Sequence, residues 1–396
     1  MSLSRLPLSY CTNVHPGRSV EEVEAGLDRY AVRVSRAFGR PLAAGLWLAQ
    51  PVVGELLAKP DGVRRFAEGV RERGLSCHTL NAFPFGDFHS ERVKEQVYLP
   101  DWTQAERLTY TEQCATVLAE MLADGTEGSI STVPLGFKGF KQAGDFEQRC
   151  VGELIECGRR FAQLRERTGK LIRLAIEPEP LCVLETTDEA IGFFRKLWRA
   201  ADQSGDGEVA RTHLGLCYDV CHQAVEFEHA GASIRALDQA GVRINKVHVS
   251  CALQLHDRAH NAEGRGALKR YVEPRYLHQT LARSESGHIV RAVDLTEKLV
   301  DEPGPEFAAA PTWRIHFHVP VNAERFGPLD TTRGALLDAM PAVAKLDYAP
   351  HLEVETYTWE VLPGKGPADL VEGLTKELLA TEELLKTVAG GPTDQA

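Results

Sequence analysis

The chain has no uninterrupted apolar run of the roughly 18 residues that a bilayer-crossing helix needs, no CxxC pair and no excess of positive charge. The first absence excludes a helical membrane span. The nine cysteines are scattered and odd in number, which points to reduced thiols rather than a disulfide framework and to a cytoplasmic location. A net charge of −11 removes any general attraction to phosphate backbones, so no nucleic-acid partner is expected. The N-terminal stretch "MSLSRLPLSYCTNVHPG" also lacks the apolar core of a signal peptide. Neither a GxGxxG fingerprint nor a GxxxxGK[ST] loop lies in a strand-to-helix context, so no nicotinamide, ATP or other organic cofactor is expected.

What the chain does contain is an ordinary globular composition, 43% hydrophobic and 26% charged over 396 residues, enough for one large α/β domain. Nine strand-like runs alternate with helical patterns: 6–13, 43–49, 75–83, 129–136, 171–178, 213–219, 244–250, 313–320 and 351–357. Helical segments such as "SVEEVEAGLDRYAVRVSRAF" and "TTDEAIGFFRKLWRAA" repeat apolar residues at three and four. Caps are expected at Ser19, with Glu22, and at Thr187. This alternation predicts a (β/α)8 TIM barrel, one domain over 1–390 with a flexible tail at 391–396. The pattern breaks over about 251–312, an insertion containing the hairpin-like "YLHQTLARSESGHIVRAVDL". The run at 313–320 is expected to extend strand seven or to line the mouth.

A barrel gathers its chemistry at the carboxyl ends of its strands. There the sequence places Glu177 and Glu179, Asp219 and His222, His248, His316 and His318, and Glu353 and Glu355. Residues two apart in a strand share a face. So many carboxylates around one point need a compensating cation, and a divalent metal is the economical one. Taken singly, each residue has a structural reading as a cap, a turn former or a satisfied core residue. Cys217, Cys221 and Cys251 are assigned to packing.

The motifs "LAIEPEP", "CYDVCH", "KVHVS" and "LEVETY" resemble the xylose-isomerase-like barrel superfamily of sugar isomerases, epimerases and endonuclease-IV-type enzymes. The resemblance implies a divalent metal, Mn, Zn, Fe, Co or Mg, held by Glu177, Asp219, His248 and Glu355, with His222 beside the metal or gripping substrate. Glu355 is preferred to Glu353 because it lies nearer the strand end and precedes a Thr, as in many relatives. Glu179 stands where xylose isomerases carry Lys, a departure from the hydride-shift pattern. More narrowly, "LSYCTNVHPG", "NAFPFGDFHSERVKEQVYLPDW" and "HLEVETYTWEVLP" resemble the EboE family, sugar-isomerase-like proteins of a bacterial metabolite-traffic cluster. That likeness implies a small-molecule metabolite and membrane-protein partners of the same pathway.

For catalysis the expectation is a metal-polarised oxygen with Glu177 and Glu355 as base and acid. Substrate contacts are expected from Asn81, His89, His222, His318 and Glu179, with Lys94, His15, Lys138 and Lys141 as further candidates. The segment after the third strand has a second reading, a Pro-rich loop packing Phe83, Phe85 and Trp102 onto the barrel. Two alternatives stay open. Extra ligands from His316, His318 or His78 would suit a metal-dependent phosphoester hydrolase, and a barrel without turnover would be a metabolite carrier.

Overall fold

The computed structural model describes residues 3–366 and 368–390, so the tail at 391–396 lies outside the described residues. Eight of the nine expected strands close a parallel barrel: β1 (Ser9–Cys11), β2 (Ala43–Trp47), β3 (Thr79–Asn81), β4 (Gly128–Thr132), β5 (Ile172–Ile176), β6 (Leu214–Asp219), β7 (Ile244–Val249) and, at the end of the chain, His351–Val354. All are short and almost wholly buried, as befits parallel strands covered on both faces.

Between the seventh and last barrel strands the chain builds a second sheet from β8 (Ala252–His256), β9 (Thr280–Arg283), β10 (Ile289–Ala292), β11 (Thr312–His318), β12 (Arg325–Phe326) and β13 (Leu329–Thr331); the last barrel strand is therefore β14. The order is β10-β9-β11-β8-β13-β12, with every recorded pair antiparallel. The expected hairpin is β9–β10. The run at 313–320 is not an extension of strand seven: it supplies β11, which pairs with both β8 and β9 inside this second sheet. The inserted structure thus reaches Thr331, beyond the expected limit of about 312. Periodicity alone cannot show which sheet an apolar run joins, because partner choice is a long-range property.

Helix ends follow local chemistry. Ser19 accepts from the Glu22 amide at 3.2 Å, as expected. At the helix Thr187–Ser204 the cap is one residue earlier than expected: Thr186 accepts from Glu189 N, and the Glu189 carboxylate reaches back to Thr186 N at 3.2 Å. This reciprocal box needs Glu at the third helical position, which only Thr186 satisfies. Among the described residues no helix is long and apolar enough to cross a membrane.

Candidate metal centre

Strand register brings the acidic residues together. Asp219 on β6 and Glu353 on β14 are both level with His248 on β7. Two residues beyond Glu353, Glu355 points the same way one layer higher, and Glu177 follows directly after β5. The spacing in "CYDVCHQ" has a simple cause. Asp219 ends β6 and caps the helix Val220–Val225, accepting from the His222 amide at 3.0 Å, so the helix begins by turning His222 back over the mouth.

Glu177, Asp219, His248 and Glu355 are buried and each offers a ligand atom within 4.8 Å of all the others. The Nδ1 of His248 lies 3.0 Å from Glu177, 3.3 Å from Asp219 and 2.9 Å from Glu355. One ring nitrogen carries at most one proton and cannot satisfy three carboxylates. Among the described residues these three carboxylates form ion pairs with histidines only, and Glu177 Oε2 and Asp219 Oδ2 are buried without a hydrogen-bond partner. Burial opposes charge throughout. Even so, Cys217, Glu177 and Glu355 hold the His248 pKa well above its ordinary value, and His222 and His248 hold that of Asp219 well below. The donor set, oxygen-rich with one imidazole, fits a divalent ion.

The ligand side chains are themselves held. Asn13 and Asn81 both donate to Glu355 Oε1, at 2.8 and 3.1 Å, which leaves Oε2 toward the centre. On the far side of His248, Nε2 lies 3.3 Å from Glu353 Oε1, and Glu353 pairs with the fully buried Lys246 at 2.6 Å. Glu353 is thus behind the histidine and Glu355 in the cluster. Such outer carboxylates fix ring orientation at metal sites. Gly45 makes the room: a Cβ there would stand 1.4 Å from Glu353 Oε2.

A second group adjoins the first. His222, His316 and His318 pack with ring centroids 4.6 to 5.6 Å apart. In each, Nδ1 faces a carbonyl-type oxygen: Pro178 O at 3.0 Å, Gln279 Oε1 at 2.7 Å and Glu355 O at 2.9 Å. An oxygen acceptor there places the proton on Nδ1 and leaves Nε2 as a lone pair. The Nε2 atoms of His316 and His318 are buried and unpartnered. Asp219, His222 and His318 form a further ligand group, so Asp219 belongs to both. Burial raises the pKa of Glu179 to about 7, and its Oε1 accepts from Tyr98 at 2.6 Å and from Gln279 at 3.0 Å.

A cavity opens above these groups, lined at its base by Asn13, Asn81, Glu177, Glu179, His222, His316, His318 and Glu355. Other expected contacts lie elsewhere. His89 does not line the cavity; it bonds Asn13 O at 2.8 Å and faces Trp47, supporting the site from behind. Lys94 lines it, but its ammonium is spent on Glu273 O, Tyr276 O and Asp294. Lys138 pairs with Glu185 and Glu189. In the loop after β3, Phe83 lines the cavity and Trp102 is fully buried.

His15 and His78 are not near the cluster. His15 packs on Tyr30, with ring centroids 4.6 Å apart, and His78 stands against His351, before β3 begins and so at the opposite end of the barrel from the strand tips. Burial pushes the His15 pKa down to about 3 and that of His78 to about 4. Above pH 6.5 both rings are neutral folded or unfolded and contribute nothing; below it the unfolded chain takes protons that the folded chain refuses. Stability is therefore lost as pH falls from 6.5, by roughly 2 kcal/mol per ring at pH 5. Urea denaturation of metal-free protein at pH 7 and 5 measures this, and a pH slope unchanged in His15→Phe and His78→Phe would refute it.

Asn13 and Lys246 were not singled out from the sequence. Lys246 had a signal, since it precedes His248 by two and shares its face; Asn13 sits in "CTNVHPG", where His15 drew the attention.

Neither a protein-family model nor a curated protein sequence matches the chain. Solved structures do. A xylose isomerase-like TIM barrel protein from Mycobacterium smegmatis in complex with magnesium superposes with a TM-score of 0.52 at 11% identity, covering 97% of this chain and 99% of that one. A D-tagatose 3-epimerase-like protein gives 0.49 at 12% identity, covering 97% and 98%, and an IolI protein with a bound zinc atom gives 0.48 at 12%, covering 97% and 99%. At such identities the likeness is one of architecture: the chain folds as a closed eight-stranded TIM barrel similar to the xylose isomerase-like barrels.

Proposed function

We propose that this protein is a divalent-metal-dependent isomerase or epimerase acting on a small hydroxylated metabolite. The observation that carries the reading is the convergence of three carboxylates on one side of His248 with, among the described residues, no lysine or arginine paired to them. When bound, a divalent ion supplies Lewis acidity to a carbonyl or vicinal hydroxyl oxygen and so acidifies the neighbouring C–H. The chain does the rest. Glu177, whose Oε2 is unpartnered, lines the cavity and takes the proton. Glu355, held by Asn13 and Asn81 on the other side, returns one. His222 and His318 present lone pairs or, once protonated, donors to the substrate oxygens.

The motif likeness to the EboE family supports a finer version, in which the metabolite belongs to a secondary-metabolite traffic pathway and is handed to membrane-protein partners; nine buried free cysteines suit a reducing cytoplasm. A second reading, metal-dependent phosphoester hydrolysis, is favoured by one observation, the unpartnered Nε2 atoms of His316 and His318, His318 grouping with Asp219 and His222 and His316 with Glu179 and His222, which suit a second ion.

The test is deuterium wash-in. Protein reconstituted with Mn2+, Zn2+ or Co2+ is incubated in heavy water with α-hydroxy ketones, and proton NMR follows loss of the C–H signal beside the carbonyl. Exchange that requires metal and is lost in Glu177→Gln is the expected result. Metal uptake with no exchange on any such ketone leaves the carrier; two ions per chain together with phosphodiester cleavage would favour the hydrolase.

A further inference from the structure

The cavity has two unlike halves. Its base is the acidic and imidazole cluster, but the wall facing that base is carbon: Phe83, Val93, Val97 and Leu277 line it together with the faces of Tyr276 and Tyr357. Phe88 backs this wall, with ring centroids 4.8 Å from Tyr276 and 5.5 Å from Tyr357. None of it comes from the barrel strands. Phe83 to Val97 belong to the loop after β3, and Tyr276 and Leu277 to the insertion before β9. The two segments are sewn together, for Val93 N and Lys94 N both donate to Arg275 O at 2.8 Å and Lys94 Nζ to Tyr276 O at 2.6 Å.

Lys94 is the cation on the lining, no arginine is among the lining residues, and the three partners of Lys94 complete its ammonium. A phosphate held against the wall would meet carbon, with no arginine or free ammonium among the described lining residues to pair with it. A free sugar, with hydroxyls on every side, would find the unpartnered Tyr276 hydroxyl on this side, while its hydroxyls against Phe83, Val93, Val97 and Leu277 would lack partners. A flat apolar body loses nothing there, and tyrosine and phenylalanine edges are good contacts for a ring.

We propose that the cavity takes a neutral small molecule whose α-hydroxy-carbonyl or vicinal-diol end faces the base, while a planar aromatic body rests against the wall of the loop and insertion; phosphorylated sugars are rejected. This rests on the proposed function for the oxygen end only; the aromatic preference is a property of the wall.

Three compounds that share one oxygen pair separate the contributions: dihydroxyacetone, its phosphate, and phenacyl alcohol, in which a benzene ring replaces one hydroxymethyl group. Calorimetric titration of full-length protein, metal-free and Co2+-loaded, gives the affinities, and the visible Co2+ spectrum reports whether the oxygens reach the ion. We expect phenacyl alcohol to bind at least about tenfold more tightly than dihydroxyacetone in both forms, the ring burying apolar area that the ketone alone does not, and the phosphate to bind no better than dihydroxyacetone. Val97 is half-buried, at the edge of the core. Val97→Asp should erase the ring preference with Co2+ content unchanged, and Val97→Lys should give the phosphate measurable affinity. A phosphate that binds wild type most tightly, no gain from the ring, undetectable phenacyl alcohol binding, or a preference that survives Val97→Asp would each overturn the proposal. Failure to load Co2+ would instead count against the metal centre, while the metal-free affinities still judge the wall.

Discussion

Asp219→Ala is expected to abolish metal binding, with plasma mass spectrometry finding less than about a tenth of the wild-type content after identical reconstitution and desalting. The position is the costliest in the cluster to lose, because Asp219 is common to the group around His248 and to that around His222 and His318. It also caps a helix and accepts from Ser250 Oγ at 2.7 Å, so the same change removes two structural hydrogen bonds. A lost cap costs about 1 kcal/mol, small beside the stability of a domain of this size. Asp219→Asn separates the effects, since its amide oxygen still caps and accepts while the negative charge is gone. The expected order of metal content is wild type, then Asn, then Ala, with circular dichroism unchanged in all three. Full metal content in Asp219→Ala would sink the assignment of the centre.

Lys246→Met is expected to cost about 3–5 kcal/mol, the usual consequence of leaving one member of a buried ion pair alone. Lys246 and Glu353 are both fully buried, and among the described residues the ammonium otherwise reaches only Leu80 O and Ser131 Oγ, both at 3.4 Å. Burial works against a charge on Glu353, yet Lys246, with His248, holds its pKa down to about 2. Without the lysine that carboxylate would stay buried with His248 and the Ser9 hydroxyl, at 3.3 and 3.4 Å, as its remaining partners. The double variant Lys246→Met with Glu353→Gln should recover much of the loss, because it removes both charges. Urea denaturation of the metal-free forms measures this; a single-variant cost under about 1 kcal/mol, or a double variant no better than the single, would show that the pair is not what stabilises the barrel interior. Glu353→Gln alone should weaken metal binding by about 10–100-fold, since Glu353 orients the His248 ring.

Parity explains much of what could be read in advance. Glu353 and Glu355 share a face, as do Lys246 and His248, and the same rule that made both glutamates candidates would have put the lysine under the histidine. It could not tell which glutamate reaches the centre, because that depends on the height of β14 against β7, where Glu353 is level with His248. His15, His78 and His89 carried the right chemistry in the wrong places. A histidine beside an apolar run looks the same whether it faces the mouth, packs on Tyr30 or stands at the far end of the barrel, and only packing distinguishes these.

The eight-unit barrel, the gathering of carboxylates and histidines at the strand tips and the DxxH turn of Asp219 and His222 were legible in the residues, since they follow from short-range periodicity and local hydrogen bonding. The tertiary structure alone decided that β11 joins a second sheet and carries His316 and His318 over the mouth, that Asn13 and Asn81 grip Glu355, and that a lysine neutralises Glu353 inside the barrel. The physical reason is separation along the chain: Asn13 meets Glu355 across 342 residues and Lys94 meets Asp294 across 200. Contacts of that kind leave no periodic trace in the residues between them.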